Sequence, residues 1–228
     1  KKLIVAVCGC IPNEPERSIK KQFPHVDIIF GPGEIAKLAE YLGIKGCHMG
    51  AKRAKGPVAY VTIMEGCDNF CSYCIVPYVR GREKSRPVDD ILGEINGLDA
   101  TIYKEVVLLG QNVNSYHDGK WEVRSGFGSG GIGLGELLKK VHEIEGIKRI
   151  RFLTSHPKDM SDGIINAVKV LPKVCEFFHL PLQSGDDTIL KAMNRSYTSE
   201  YYKELVNKIK KAIPDATVTS DAIVGFPG

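Results

Sequence analysis

Pro57-Val-Ala-Tyr-Val-Thr-Ile-Met-Glu-Gly-Cys67-Asp-Asn-Phe-Cys71-Ser-Tyr-Cys74 is an apolar run that stops at a glycine and gives way to three closely spaced cysteines. Its β-branched residues make Val58 to Met64 a strand, so the C-x3-C-x2-C spacing puts three thiols on the loop just past the strand's end. Three thiolates on one short loop suit an iron–sulfur cubane, which then keeps one iron with an open coordination position. Structural zinc takes four ligands, usually as two close pairs, and no fourth Cys or His stands within ten residues. A redox C-x2-C uses only two thiols. Zinc with a distant ligand, and redox or inert cysteines, are the alternatives to the cluster.

Outward from this loop, strands and helices alternate. Strands are expected at 58–64, 105–109, 148–153, 176–180 and 217–224, and helices at 87–100, 134–145, 161–171, 186–192 and 198–212. Such alternation implies an α/β fold with a parallel sheet that right-handed crossovers curl into a partial (β/α) barrel. Active sites in these folds gather at the C-terminal strand ends, where the cysteine loop sits. Upstream, residues 3–8 and 26–30 read as strands, 16–22 and 32–42 as helices, and the Gly- and Lys-rich 43–56 as a linker. Residues 121–135, with six glycines from Gly126 onward, read as a flexible insertion between a strand and its helix.

At 228 residues, 43% hydrophobic and 25% charged, the composition is that of an ordinary globular chain. No apolar run approaches the length of a membrane span, and the short apolar opening is not read as an export signal. Seven cysteines, three of them clustered, point to metal binding in a reducing compartment rather than to disulfides. The net charge of +4 is mild, but Arg80, Arg82, Lys84 and Arg86 fall within seven residues just after the cysteine loop, opposed only by Glu83. They form either a solvated basic loop or a phosphate-contacting rim.

The other strands run into polar, turn-forming segments: Gly110-Gln-Asn-Val-Asn-Ser-Tyr116, Thr154-Ser-His-Pro-Lys158, His179-Leu-Pro-Leu-Gln-Ser-Gly185 and Ile223-Val-Gly-Phe-Pro-Gly228. Amides, hydroxyls and glycines donate and accept hydrogen bonds without imposing charge, as an active-site rim should. His156, before a proline, reads equally well as a capped core histidine.

Cys67-x3-Cys71-x-Tyr73-Cys74 resembles the signature of the radical S-adenosylmethionine (SAM) enzymes. With the four rim segments, Val76-Pro-Tyr-Val-Arg-Gly-Arg82, Ser85-Arg-Pro87 and Met193-Asn-Arg195, the whole chain resembles the MiaB-type tRNA methylthiotransferases. The resemblance implies a partial (β/α) radical-SAM barrel over 57–228, a linker over 46–56 and the end of an α/β methylthiotransferase N-terminal domain over 1–45. It implies a [4Fe-4S] cluster on Cys67, Cys71 and Cys74, with S-adenosylmethionine on the open iron and Tyr73 beside the nucleoside. By position, Gln111 meets the methionine ammonium. Ser155, Gln183, Ser184 and Arg195 reach the carboxylate and ribose, and Ile223 and Gly225 border the adenine. Cys10 matches the last ligand of the family's auxiliary [4Fe-4S] cluster. Two further ligands are expected upstream, and an RNA-binding TRAM domain downstream. Cys8 is an extra, expected to face away from Cys10, and Cys175 reads as a small buried hydrophobe on a strand.

The implied reaction is methylthiolation of carbon 2 of an isopentenylated adenosine next to the tRNA anticodon. Arg80, Arg82 and Arg86 would contact the tRNA, and an electron donor such as flavodoxin or ferredoxin would reduce a cytoplasmic monomer. The family's rival substrates are a threonylcarbamoyl-adenosine in tRNA and an aspartate of a ribosomal protein. A rival of another class is a non-catalytic, zinc-containing RNA-binding module.

Overall fold

The computed structural model describes residues 3–10, 16–32, 34, 36–43, 56–119 and 131–227. Most of the expected linker and of the glycine-rich insertion therefore lies outside the described residues. Near the start, β1 (Ala6–Cys8), α1 (Glu16–Gln22), β2 (Ile28–Phe30) and α2 (Ala36–Tyr41) form an α/β pair in which β1 and β2 run parallel, Ala6 opposite Ile28. Residues two apart on a strand share a face, so the expected divergence of Cys8 and Cys10 does not follow from strand alternation. Gly9, at φ 107°, turns the chain where β1 ends, so Cys10 lies outside the strand.

The region that positions the cysteines begins with β3 (Val58–Thr62), β4 (Met64–Glu65), α3 (Val76–Val79), β5 (Lys84–Ser85), α4 (Val88–Asn96) and β6 (Glu105–Leu109). It continues through β7 (His117–Asp118), β8 (Ile132–Gly133), α5 (Leu134–Glu143), β9 (Arg149–Phe152), α6 (Asp162–Val170) and β10 (Phe177–His179). The last described elements are α7 (Asp187–Ala192), α8 (Ser199–Ala212) and β11 (Thr217–Thr219). β3, β6 and β9 pair parallel in that order, Val61 opposite Leu108 and Leu108 opposite Phe152. A bridge from Ile150 to Val174 leads toward β10, which pairs parallel with β11. The expected α/β parallel sheet is present; among the described residues the strands close no barrel.

The helices cover the sheet because their apolar residues recur at helical spacing. In α5, Leu134, Leu137, Leu138 and Val141 are all buried, and they share one core with Val61, Val106, Leu108, Ile150 and Phe178. Side-chain caps set where three helices begin: Ser161 receives the Ile164 N–H, Asp186 those of Thr188 and Ile189, and Thr198 that of Tyr201.

Three expectations are corrected. The first strand does not run unbroken to Met64; after Thr62 the chain enters β4, which pairs antiparallel with β5 inside the basic segment. The last strand stops at Thr219 rather than reaching residue 224, and beyond it Val224 is 96% exposed. Cys175 is only half-buried and precedes β10; its N–H bonds Ile150 O and its thiol lies against Arg149.

Candidate active site

The cysteine loop leaves the C-terminal end of β3 under tight backbone constraint. Gly66, at φ 77°, passes so close to the β5 side of the ribbon that a Cβ there would lie 2.1 Å from Arg82 O. Its N–H donates to Gln111 Oε1 at 2.7 Å, and the Cys67 N–H to Gly81 O at 3.2 Å. Phe70 is held left-handed at φ 48°, and the Cys74 N–H closes back on Cys71 O at 2.9 Å. Behind the loop stands the end of α7. The Ser72 N–H and Oγ donate to Met193 O and Ala192 O, and Asn194 Nδ2 donates to Phe70 O at 2.8 Å. Cys71 is buried, while Cys67 and Cys74 are half-buried. Burial pushes the Cys67 thiol up, against hydrogen bonds from Asn69 that pull it down.

The remaining rim residues lie at the same end of the sheet. Thr154 and Gln183, on the turns after β9 and β10, are left-handed at φ 69° and 70°. Side chains other than glycine rarely occupy this region, and such strain gathers at functional sites. Thr154 Oγ1 donates to Gly110 O at 2.6 Å, tying the third turn to the second. Gln183 is bracketed by Asp221 O and the Ile223 N–H. Ser155 Oγ is buried with no hydrogen-bond partner. Ser184 Oγ accepts from the Asp186 N–H. Tyr73 meets the ring of Phe226 edge-on at 6.4 Å between centroids, and burial raises its hydroxyl pKa to about 12. Ile223 and Gly225 are exposed beside it in sequence.

Several of these residues do work their spacing did not foretell. Gln111 uses its carbonyl oxygen on Gly66, shaping the cysteine loop. Arg195, expected at a carboxylate, donates to Cys71 Sγ at 3.3 Å. Arg86 is no free rim cation: it donates to Thr62 O and pairs with Glu94 at 2.7 Å. Arg82 pairs with Asp68 at 2.7 Å, a carboxylate the charge count along the basic segment left out, and lies 5.5 Å over the Phe70 ring. Arg80 is exposed. His156 is a core histidine. Burial, then Arg195 and Lys158, lower its pKa to about 3, and its Nδ1 accepts from the Lys158 N–H.

Among the described residues no three His, Cys, Asp or Glu side chains are already gathered as a metal site. The donor set nevertheless fits a cluster. Three thiols share one loop, Asn69 and Arg195 donate to two of the sulfurs, and Arg195 needs a negative neighbour. The orphaned Ser155 hydroxyl fits a polar ligand at the same rim. A separate cavity of about 510 Å3 opens on the flank of the loop at Asp68 and Glu83, walled by Tyr116, Leu134, Lys158 and Ile164; no cysteine lines it.

The model of the radical SAM superfamily matches residues 61–228. The chain belongs to the radical SAM superfamily. Solved members share the fold: the cobalamin-dependent radical SAM enzyme OxsB superposes on 96% of this chain and 36% of its own, with TM-score 0.66 and 12% identity. The methyltransferase TsrM of Kitasatospora setae covers 76% of this chain and 31% of its own, with TM-score 0.56 and 15% identity. This radical SAM chain is also 49% identical, over 99% of its length, to the tRNA-2-methylthio-N(6)-dimethylallyladenosine synthases of Clostridium perfringens and Acetivibrio thermocellus. It spans about half the length of these curated relatives, 53% and 49% respectively.

Proposed function

We propose that this chain is the catalytic core of a tRNA methylthiotransferase that modifies carbon 2 of an isopentenylated adenosine beside the anticodon. The observation that carries the reading is the three-cysteine loop, fixed at the C-terminal edge of a parallel sheet, in a chain 49% identical to enzymes named for that reaction. Cys67, Cys71 and Cys74 would hold a [4Fe-4S] cluster. S-adenosylmethionine held there would supply the radical chemistry that an unactivated C–H bond requires.

The residues of this chain bind and orient. Ser155, Gln183 and Ser184 offer amide and hydroxyl groups to the methionine and ribose, and Ser155 has its hydroxyl unspent. Gln111 keeps a second lone pair for the ammonium after serving Gly66. Tyr73, Ile223 and Gly225 flank the adenine. Arg80 and Arg82 face outward toward RNA phosphate, with the exposed Arg82–Asp68 pair weak enough to exchange. Cys10 serves an auxiliary cluster whose other ligands belong to the N-terminal domain, of which residues 1–45 are the end. An external one-electron protein donor reduces the enzyme, which acts as a cytoplasmic monomer. Among the described residues no helix is long and apolar enough to cross a membrane.

The test uses the anaerobically reconstituted full-length enzyme with tRNA bearing isopentenyl-adenosine, and mass spectrometry of the digested nucleosides. A gain of one methylthio group on that nucleoside is expected, with Cys10→Ala losing it while still forming 5′-deoxyadenosine. Modification of threonylcarbamoyl-adenosine instead would move the chain to the sister activity. Zinc without sulfide would mark a binding module.

A further inference from the structure

We propose that Arg195 is a cluster-positioning residue, whose buried guanidinium makes the cluster on this loop easier to reduce. The inference rests on the cluster reading above and departs from the expectation that Arg195 meets the methionine carboxylate. Arg195 is only 9% exposed, and each guanidinium nitrogen is engaged. Nε donates to Tyr197 Oη at 3.0 Å, Nη2 to Pro181 O at 3.2 Å and Nη1 to Cys71 Sγ at 3.3 Å. The cation also lies 5.0 Å from the Tyr197 ring centroid. Tyr197 is pinned in turn, its hydroxyl within hydrogen-bond distance of Pro181 O and Leu182 O. The Arg195 N–H caps the end of α7 at Leu190 O. The fork is thus held from several sides with one arm on a ligand sulfur.

Among the described residues no carboxylate pairs with this guanidinium, and arginine does not shed its proton in proteins. Holding a cation away from water among neutral partners is costly, so such a site calls for negative charge beside it. Of the groups Arg195 touches, Cys71 Sγ is the one that acquires such charge when it ligates iron. A [4Fe-4S] core on three thiolates is anionic and gains one more negative charge when a one-electron reductant reduces it, with no bond made or broken. A donor and a positive charge on a ligand sulfur favour that reduced form, because hydrogen bonds to the sulfurs and local charge set cluster potentials. A residue holding substrate carboxylate alone would leave the potential of SAM-free protein untouched.

The experiment is an anaerobic redox titration, followed by electron paramagnetic resonance, of full-length protein carrying Cys10→Ala and free of S-adenosylmethionine. The parent is compared with Arg195→Gln and Arg195→Lys. At the parent midpoint, Arg195→Gln is expected to show the reduced-to-oxidised ratio lowered about tenfold, a one-electron midpoint about 59 mV more negative. Arg195→Lys, which keeps the charge but not the fork, falls between. If Arg195→Gln fails to fold by circular dichroism, the lysine variant carries the test, and a midpoint equal to the parent's overturns the proposal. Unchanged midpoints with weakened SAM affinity return Arg195 to the carboxylate and also overturn it. A parent that takes up neither iron nor sulfide sinks the cluster reading and the inference together.

Discussion

Gly66 and Gly81 allow the shape of the cysteine loop to be tested without touching a thiol. Both adopt the left-handed conformation, at φ 77° and 78°, so alanine at either is strained by about 1 kcal/mol. They differ in space: nothing lies within 4 Å of a Cβ on Gly81, whereas one on Gly66 would sit 2.1 Å from Arg82 O. That is roughly 1.3 Å short of ordinary contact, and the obstacle is backbone that cannot swing aside. Relieving it drags apart β4 and β5 and endangers the Gly66–Gln111 and Cys67–Gly81 hydrogen bonds, each worth about 1 kcal/mol. Gly66→Ala is therefore expected to lose about 3 kcal/mol and Gly81→Ala about 1 kcal/mol. At about 2–4 °C per kcal/mol for a chain of this size, thermal denaturation should show drops of roughly 6–12 °C against 2–4 °C. Iron per chain after reconstitution should fall in Gly66→Ala alone. Equal losses in the two variants would refute the close approach as the reason for glycine at 66.

Cys71→Ala should abolish the brown chromophore and reductive cleavage of S-adenosylmethionine, while Cys175→Ala, remote from the loop in sequence and beside Arg149, should keep both. Replacing Arg80 and Arg82 together should lower the salt dependence of tRNA binding by up to about two counterions. Arg86→Ala should leave that slope alone and destabilise by about 1–2 kcal/mol, because its half-buried guanidinium serves Thr62 O and Glu94. The His156 pKa lies near 3 in the folded chain and near 6.5 unfolded, so the unfolded state takes the proton first as pH falls. Stability should thus decline below about pH 6.5, by up to about 1.4 kcal/mol per unit, and level off near pH 3. His156→Gln should flatten that stretch of the denaturation profile, and an unchanged profile places the dependence elsewhere.

The parallel sheet was legible because Val58–Thr62 and Glu105–Leu109 are short, mostly apolar runs and Arg149–Phe152 alternates charged with apolar residues, all separated by helical periodicity. The same apolar character extends past the end of the last strand. Ile223 and Val224 are apolar in sequence, yet both are exposed: the continuous ladder ends at Thr219, and past it the described residues keep an isolated bridge between Gln183 and Ala222. The cysteine spacing announced its loop, but two-residue strands leave no periodicity, so the β4–β5 ribbon that folds the basic segment back was invisible. Charge counting could not show that Arg86 meets Glu94 from the next helix or Arg82 meets Asp68 from the loop. Nor does any local pattern mark Thr154 or Gln183 as left-handed, since neither is a residue type favoured there. The Arg195–Cys71 contact spans 124 residues and exists only after the sheet has brought both to one edge.

That span has a consequence during synthesis. The back wall of the cysteine loop is made by Ala192, Met193, Asn194 and Arg195, through hydrogen bonds to Phe70, Cys71 and Ser72. On the ribosome, the three thiols emerge more than a hundred residues before that wall. With translation at about 5–20 residues per second, they spend on the order of 6–25 seconds without their shaping partners. The loop therefore gains these contacts only once α7 and the turn after it have been made. A chain arrested before residue 195 would display the full cysteine spacing and still lack the pocket wall that makes it a site.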